Sequence, residues 1–139
     1  MPNHFHFLLR QEKDKGITKF LANFSNSYTK YFNTRHKRVG PLLQGTFKSV
    51  WVETDEQLMH LSRYIHLNPL NSHIVKEDQI DYYEWSSFPE YLKCNNQYIV
   101  DTDLILNHFK NKEDYRSFIH DYIGYQKDIS KIEHLIQEE

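Results

Sequence analysis

The hydrophobic period of this chain changes once, early, and that change limits the folds open to it. Over residues 4–9, Phe5, Phe7 and Leu9 alternate with His4, His6 and Leu8. A period of two is the signature of a strand, here with one apolar face and one face carrying both histidines. After a polar turn at Gln11–Gly16 the period lengthens. Ile17, Phe20, Leu21, Phe24, Tyr28, Tyr31 and Phe32 recur at helical spacing, which predicts a helix ending near Asn33. A strand followed at once by an amphipathic helix points to a mixed α/β core rather than an all-helical or all-β one.

The next segments extend that expectation. Arg35–Arg38 with Gly40-Pro41 form a basic loop, and Leu42–Glu53 reads as extended structure bent at Gly45. Thr54-Asp55-Glu56-Gln57 is a capping box, so a helix opens there with Leu58, Leu61 and Ile65 as its buried stripe. Pro69 disfavours helical geometry at Asn68, which places the helix end near Leu67. Beyond it the chain turns acidic and tyrosine-rich. Short helices are expected at Phe88–Lys93 and Asp103–Phe109, with longer ones at Glu113–Tyr125 and Ile129–Gln137 and a turn at Asn95–Gln97. The expected organisation is a core over residues 1–69 and a mostly helical extension over 70–139.

A net charge of −2 hides two opposed halves. Residues 1–52 hold nine Lys/Arg against two acids, a charge of +7; residues 53–139 hold eight against seventeen, a charge of −9. Lys15 to Val52 contains no acid at all. A solvated face is the ordinary reading of a basic run, but a complete absence of acids over that length suits a surface that meets phosphates. The single cysteine, Cys94, excludes an internal disulfide and a cysteine zinc site. No apolar run is long enough to span a bilayer and no secretory leader is recognisable, so no membrane partner and a cytoplasmic setting are expected.

Two groups of residues could carry chemistry. On a strand, His4 and His6 point to the same side, the arrangement in which two imidazoles share a divalent cation. Alone, such a pair is a weak signal in a chain with nine histidines. On the capped helix, Tyr64 and Asn68 stand one turn apart, with His60 one turn before them. A phenol and an amide so placed suit a phosphate nucleophile beside a metal ligand. They equally suit a wet helix tyrosine and a polar residue before proline.

The ordered run of segments decides between these readings. Met1-Pro-Asn-His-Phe-His-Phe-Leu-Leu9, Tyr31-Phe-Asn-Thr-Arg35, Gly40-Pro-Leu-Leu-Gln-Gly-Thr-Phe-Lys-Ser49, Arg63-Tyr-Ile-His-Leu-Asn-Pro69 and Tyr83-Glu-Trp-Ser-Ser87 resemble the signature stretches of the REP-associated tyrosine transposases, relatives of the small insertion-sequence transposases of the HUH superfamily. The likeness covers residues 1 to about 90 and continues more loosely to about Tyr122. It implies an α+β fold, a ferredoxin-like antiparallel sheet with helices on one side. It implies a magnesium or manganese ion held by His4, His6 and Asn68, with Tyr64 as the nucleophile. A phenol has a pKa of about 10 in water and attacks poorly at neutral pH; a metal on the scissile phosphate would orient it and stabilise the developing charge. The product would be a 5′-phosphotyrosine link and a free 3′-hydroxyl able to reverse the step.

Single-stranded or hairpin DNA is the substrate so implied. Lys30, Arg35, Lys37, Arg38 and Lys48 are the expected phosphate contacts, with Arg63, Asn23, Asn26 and His66 as further candidates for DNA binding. Members of the family carry a strand and helix before the histidine strand, whereas this chain begins at the motif, with Met1 where the family has an internal methionine. A core lacking that strand and helix would expose a sheet edge and favour a homodimer. A catalytically defective relative that only binds DNA hairpins, and a truncated unit without function, are the alternatives; a covalent DNA adduct separates the first reading from both.

Overall fold

The computed structural model describes residues 4–92 and 99–123. Cys94, the turn expected at Asn95–Gln97, the last residue of the Phe88–Lys93 helix and the Ile129–Gln137 stretch lie outside them. The described elements are α1 (Gly16–His36), α2 (Asp55–Asn71), a 3-10 helix (Glu77–Tyr82), α3 (Phe88–Tyr91) and α4 (Asp103–Leu106), followed by a helix over 112–123, α5. They fall into two compact units. One combines the short segment up to His6 with the chain from Val52 onward; the other is Phe7–Trp51.

No strand is present among the described residues. The α+β expectation, a ferredoxin-like antiparallel sheet, is therefore overturned: the protein is helical. Residues 4–11 and 42–53 have no regular structure. Alternating side chains mark a chain that can extend, but a strand exists only where backbone N–H and C=O groups are paired with a neighbour. Neither segment finds one among the described residues, and alternation alone could not reveal that.

In the Phe7–Trp51 unit, α1 follows the periodicity closely. Phe20, Phe24, Tyr28, Phe32 and His36 form a ladder at i, i+4 spacing, with centroids 6.2 Å apart for the first three pairs and 4.2 Å for the last. Phe7 sets its ring edge against Phe20 at 5.7 Å and Phe24 at 5.1 Å. Even so, α1 has no buried residue. The helix ends where Lys37 takes the left-handed conformation and returns its N–H to the Asn33 carbonyl. Arg35 and His36, in the last turn, complement the negative end of the helix dipole.

The other unit contains the core. Leu67, Ile80, Phe88, Ile105, Tyr115 and Ile119 are its fully buried large side chains, each contributing roughly 1.5–3 kcal/mol through removal from water. α2 packs against the 3-10 helix and α4, and α3 against the 3-10 helix. Thr54 caps α2 by accepting from the Gln57 N–H at 3.2 Å, while the Gln57 side chain reaches back to accept from the Glu53 N–H at 2.9 Å. α2 runs to Asn71, past the end expected from Pro69. Proline there forfeits one hydrogen bond in the final turn, and burial of Leu67, Asn68 and Pro69 offsets the loss. The Ser72 N–H closes the helix on the Asn68 and Leu70 carbonyls. Among the described residues, no helix is long and apolar enough to cross a membrane.

Candidate active site

α2 sorts its side chains by the 3.6-residue repeat. Leu58, Ser62 and His66 turn inward, while Tyr64 stands half exposed, at 51%. The edge of the His6 ring meets the Tyr64 ring, with centroids 5.6 Å apart and planes at 76°. His4 packs edge-on to His6 at 5.0 Å and 89°. The structure thus gathers His4, His6 and Tyr64 into one cluster within one unit, without the strand from which the histidine pairing was expected. Partial burial, and then the neighbouring His4, hold the His6 imidazole below its usual range. It is therefore kept in the neutral form in which an imidazole ligates a metal.

Asn68 lies one turn beyond Tyr64 and is buried at 7% exposure. Among the described residues, its Oδ1 is a buried side-chain acceptor that no hydrogen bond satisfies. Such an atom costs about 1–3 kcal/mol relative to a paired one. An amide oxygen without a proton donor is the chemistry of a ligand to a hard cation. Among the described residues, no three of His, Cys, Asp or Glu cluster closely enough to hold a metal ion. A set made of His4, His6 and Asn68 is of a different composition: two imidazole nitrogens and one amide oxygen, of which only the oxygen is a donor typical for magnesium or manganese.

Arg63 is half-buried and has three side-chain partners. Its guanidinium carbon sits 4.2 Å from the centroid of the Phe118 ring and 4.4 Å from that of Tyr122, and Nη2 donates to His60 Nδ1 at 2.8 Å. His66, a candidate for DNA contact on sequence, is instead buried in the core. Its Nδ1 lies 2.8 Å from the Tyr115 hydroxyl and its Nε2 2.9 Å from Ser87 Oγ, and the Tyr115 hydroxyl donates onward to Ser62 Oγ at 3.3 Å. Burial pushes the His66 pKa down to about 3.

Lys30, Arg35, Lys37, Arg38 and Lys48 all belong to the Phe7–Trp51 unit. Arg38 organises its own loop: it donates to Asn33 Oδ1 at 3.1 Å and to the Pro41 carbonyl at 3.3 Å, while Asn33 Nδ2 donates to the Gly40 carbonyl at 2.8 Å. Gly40 has φ 93°, a conformation that side chains rarely adopt, which is why a glycine closes this loop. Arg35 donates to the Tyr31 hydroxyl at 2.8 Å. Lys30, Lys37 and Lys48 are exposed and make no ion pair among the described residues.

Sequence reasoning missed the groups that lock α5 to the rest of its unit. Asp81, buried, accepts from Arg116 Nε and from His120 Nε2, each at 2.8 Å, beside an open cavity of about 700 Å³. None of His4, His6, Tyr64 or Asn68 lines that cavity. The i, i+4 spacing of Phe118 and Tyr122, and of Arg116 and His120, was the available signal, but their partners lie 35 to 59 positions away in sequence. No protein-family model, no curated protein and no solved structure matches the chain.

Proposed function

We propose that this protein is a metal-dependent single-strand DNA transposase of the REP-associated tyrosine type, cutting and rejoining DNA at hairpin-associated sites through Tyr64. The observation that carries the reading is the pairing of an accessible Tyr64, against His6, with a buried and unsatisfied Asn68 oxygen one turn along the same helix. A structural tyrosine needs no such neighbour.

In the proposed reaction the Tyr64 oxygen attacks the scissile phosphorus and the bond from phosphorus to the 3′ oxygen breaks. The phenolic proton passes to solvent, to which Tyr64 is open, and the departing 3′ oxygen takes up a proton in turn. The 5′ phosphate is left esterified to Tyr64. Attack by a 3′-hydroxyl reverses these bond changes, so rejoining needs no external energy source. Magnesium or manganese, held by His4, His6 and Asn68, would supply charge neutralisation on the phosphate. His4 and His6 would ligate through ring nitrogens, and Asn68 through its side-chain oxygen. Lys30, Lys37 and Lys48 offer exposed cations to the DNA backbone, Arg35 and Arg38 a more ordered pair. A homodimer belongs to the same reading, the opposed charges of residues 1–52 and 53–139 giving a second copy a complementary surface; sedimentation at low and high salt tests it, and a monomer throughout would exclude it.

The deciding experiment is a denaturing gel with labelled single-stranded hairpin DNA and manganese. A covalent protein–DNA adduct is expected, absent in Tyr64→Phe and after chelation. Tight hairpin binding that never becomes covalent would leave a DNA-binding protein without the enzyme activity.

A further inference from the structure

Arginine side chains in the unit that carries Tyr64 are treated in two ways. Arg116 is neutralised: it pairs with Asp81 at 2.8 Å and with Glu113 at 3.6 Å. Arg63 is not. Among the described residues it has no carboxylate partner, although its unit is rich in acids. Its charge rests against two aromatic rings, which attract a cation without cancelling it, and against the His60 Nδ1. Phe118 and Tyr122 both lie within 4.4 Å of the guanidinium carbon and fix where the group sits. Of five N–H donors one is given to His60. A forked cation fixed in this way has lost its rotamer entropy in advance, and the planar edge matches the paired oxygens of a phosphate.

Its place on α2 narrows the target. Successive helix residues diverge by about 100°, so Arg63 and Tyr64 cannot address one atom from the same direction. They can address neighbouring phosphates of one strand.

We infer that Arg63 grips a DNA phosphate next to the one that Tyr64 attacks, and that α5 acts as its positioning element through Phe118 and Tyr122. This rests on the single-strand DNA reading above. It gives the acidic C-terminal part of the chain a role in substrate alignment, although that part carries few cations of its own.

The test is hairpin DNA binding by fluorescence anisotropy over a salt series, with thermal unfolding measured in parallel. Arg63→Gln keeps a planar, stackable group without the charge. It is expected to weaken binding about tenfold and to lower the slope of log affinity against log salt by about 0.7, one single-strand phosphate contact. Arg63→Lys should keep the slope and lose part of the affinity. Phe118→Leu should weaken binding in the wild-type background and have no effect on binding in the Arg63→Gln background, while lowering the unfolding temperature equally in both. A purely structural clamp would move the unfolding temperature and leave the salt slope of Arg63→Gln at the wild-type value, and that result overturns the inference alone. If the wild-type protein bound no single-stranded or hairpin DNA, the functional reading would fall and this inference with it.

Discussion

His66 sits in the core as a neutral imidazole, one ring nitrogen donating and the other accepting, with Tyr115 and Ser87 as partners. Lowering the pH therefore perturbs folding through this group. Its folded pKa, about 3, lies below the ordinary value of 6.5 that the unfolded chain restores. Unfolding thus takes up a proton at any pH between the two, and the stability from a neutral His66 is complete above 6.5 and lost as pH falls toward 3. The limiting slope is about 1.4 kcal/mol per pH unit, so on the order of 2 kcal/mol disappears between pH 6.5 and 4.5. The ceiling over the whole window is on the order of 5 kcal/mol, against a total stability of about 5–15 kcal/mol for a domain. Carboxylates titrate in the lower part of this range, so a comparison isolates the histidine. In His66→Gln the amide can keep at least one hydrogen bond and cannot titrate. Urea midpoints measured every pH unit from 7.5 to 4.5 should fall more steeply in the wild type than in the variant, the curves converging toward acid. Parallel curves would refute the reasoning, as would a His66 ring proton resonance titrating near pH 6.5.

Other expectations are as direct. Asn68→Leu removes the unsatisfied oxygen and should raise stability by about 1 kcal/mol in denaturant titration, while abolishing any metal-dependent adduct; a loss of stability would mean that the oxygen has a partner. Thr54→Ala should cost about 1 kcal/mol of stability through the lost cap on α2, read from the urea midpoint. Asp81→Asn leaves Arg116 and His120 without their carboxylate and should cost about 2 kcal/mol, less than for a fully buried pair because Arg116 is 46% exposed. Tyr64→Phe should leave hairpin affinity within about twofold while eliminating the covalent product on a denaturing gel.

Local signals carried well from sequence to structure and long-range ones did not. The ladder Phe20–Phe24–Tyr28–Phe32 and the Thr54–Gln57 cap depend on residues three or four apart, so periodicity and capping chemistry found α1 and the start of α2. Tyr64 and Asn68 were placed one turn apart by the same rule. The sheet failed because a strand is defined by a partner, and alternation in residues 4–9 names none. His66 failed for a related reason: it was a candidate for DNA contact, and only Tyr115, 49 positions later, and Ser87 make it a core residue. Arg63 was singled out as a cation, but the two rings that fix it were invisible to any local pattern.

The ladder on α1 has a consequence for how this protein opens. With no buried side chain in the helix, its i, i+4 ring ladder and the Phe7 contacts are the packing it shows within its own unit. Each i, i+4 pair adds only about 0.2–0.5 kcal/mol, so four of them supply on the order of 1–2 kcal/mol. Backbone amides of α1 should therefore trade hydrogen for deuterium through a shallow, local opening, while those of α2 wait for loss of the core around Leu67 and Tyr115. A protease should find its first cut in α1, before the unit that carries Tyr64 has begun to unfold.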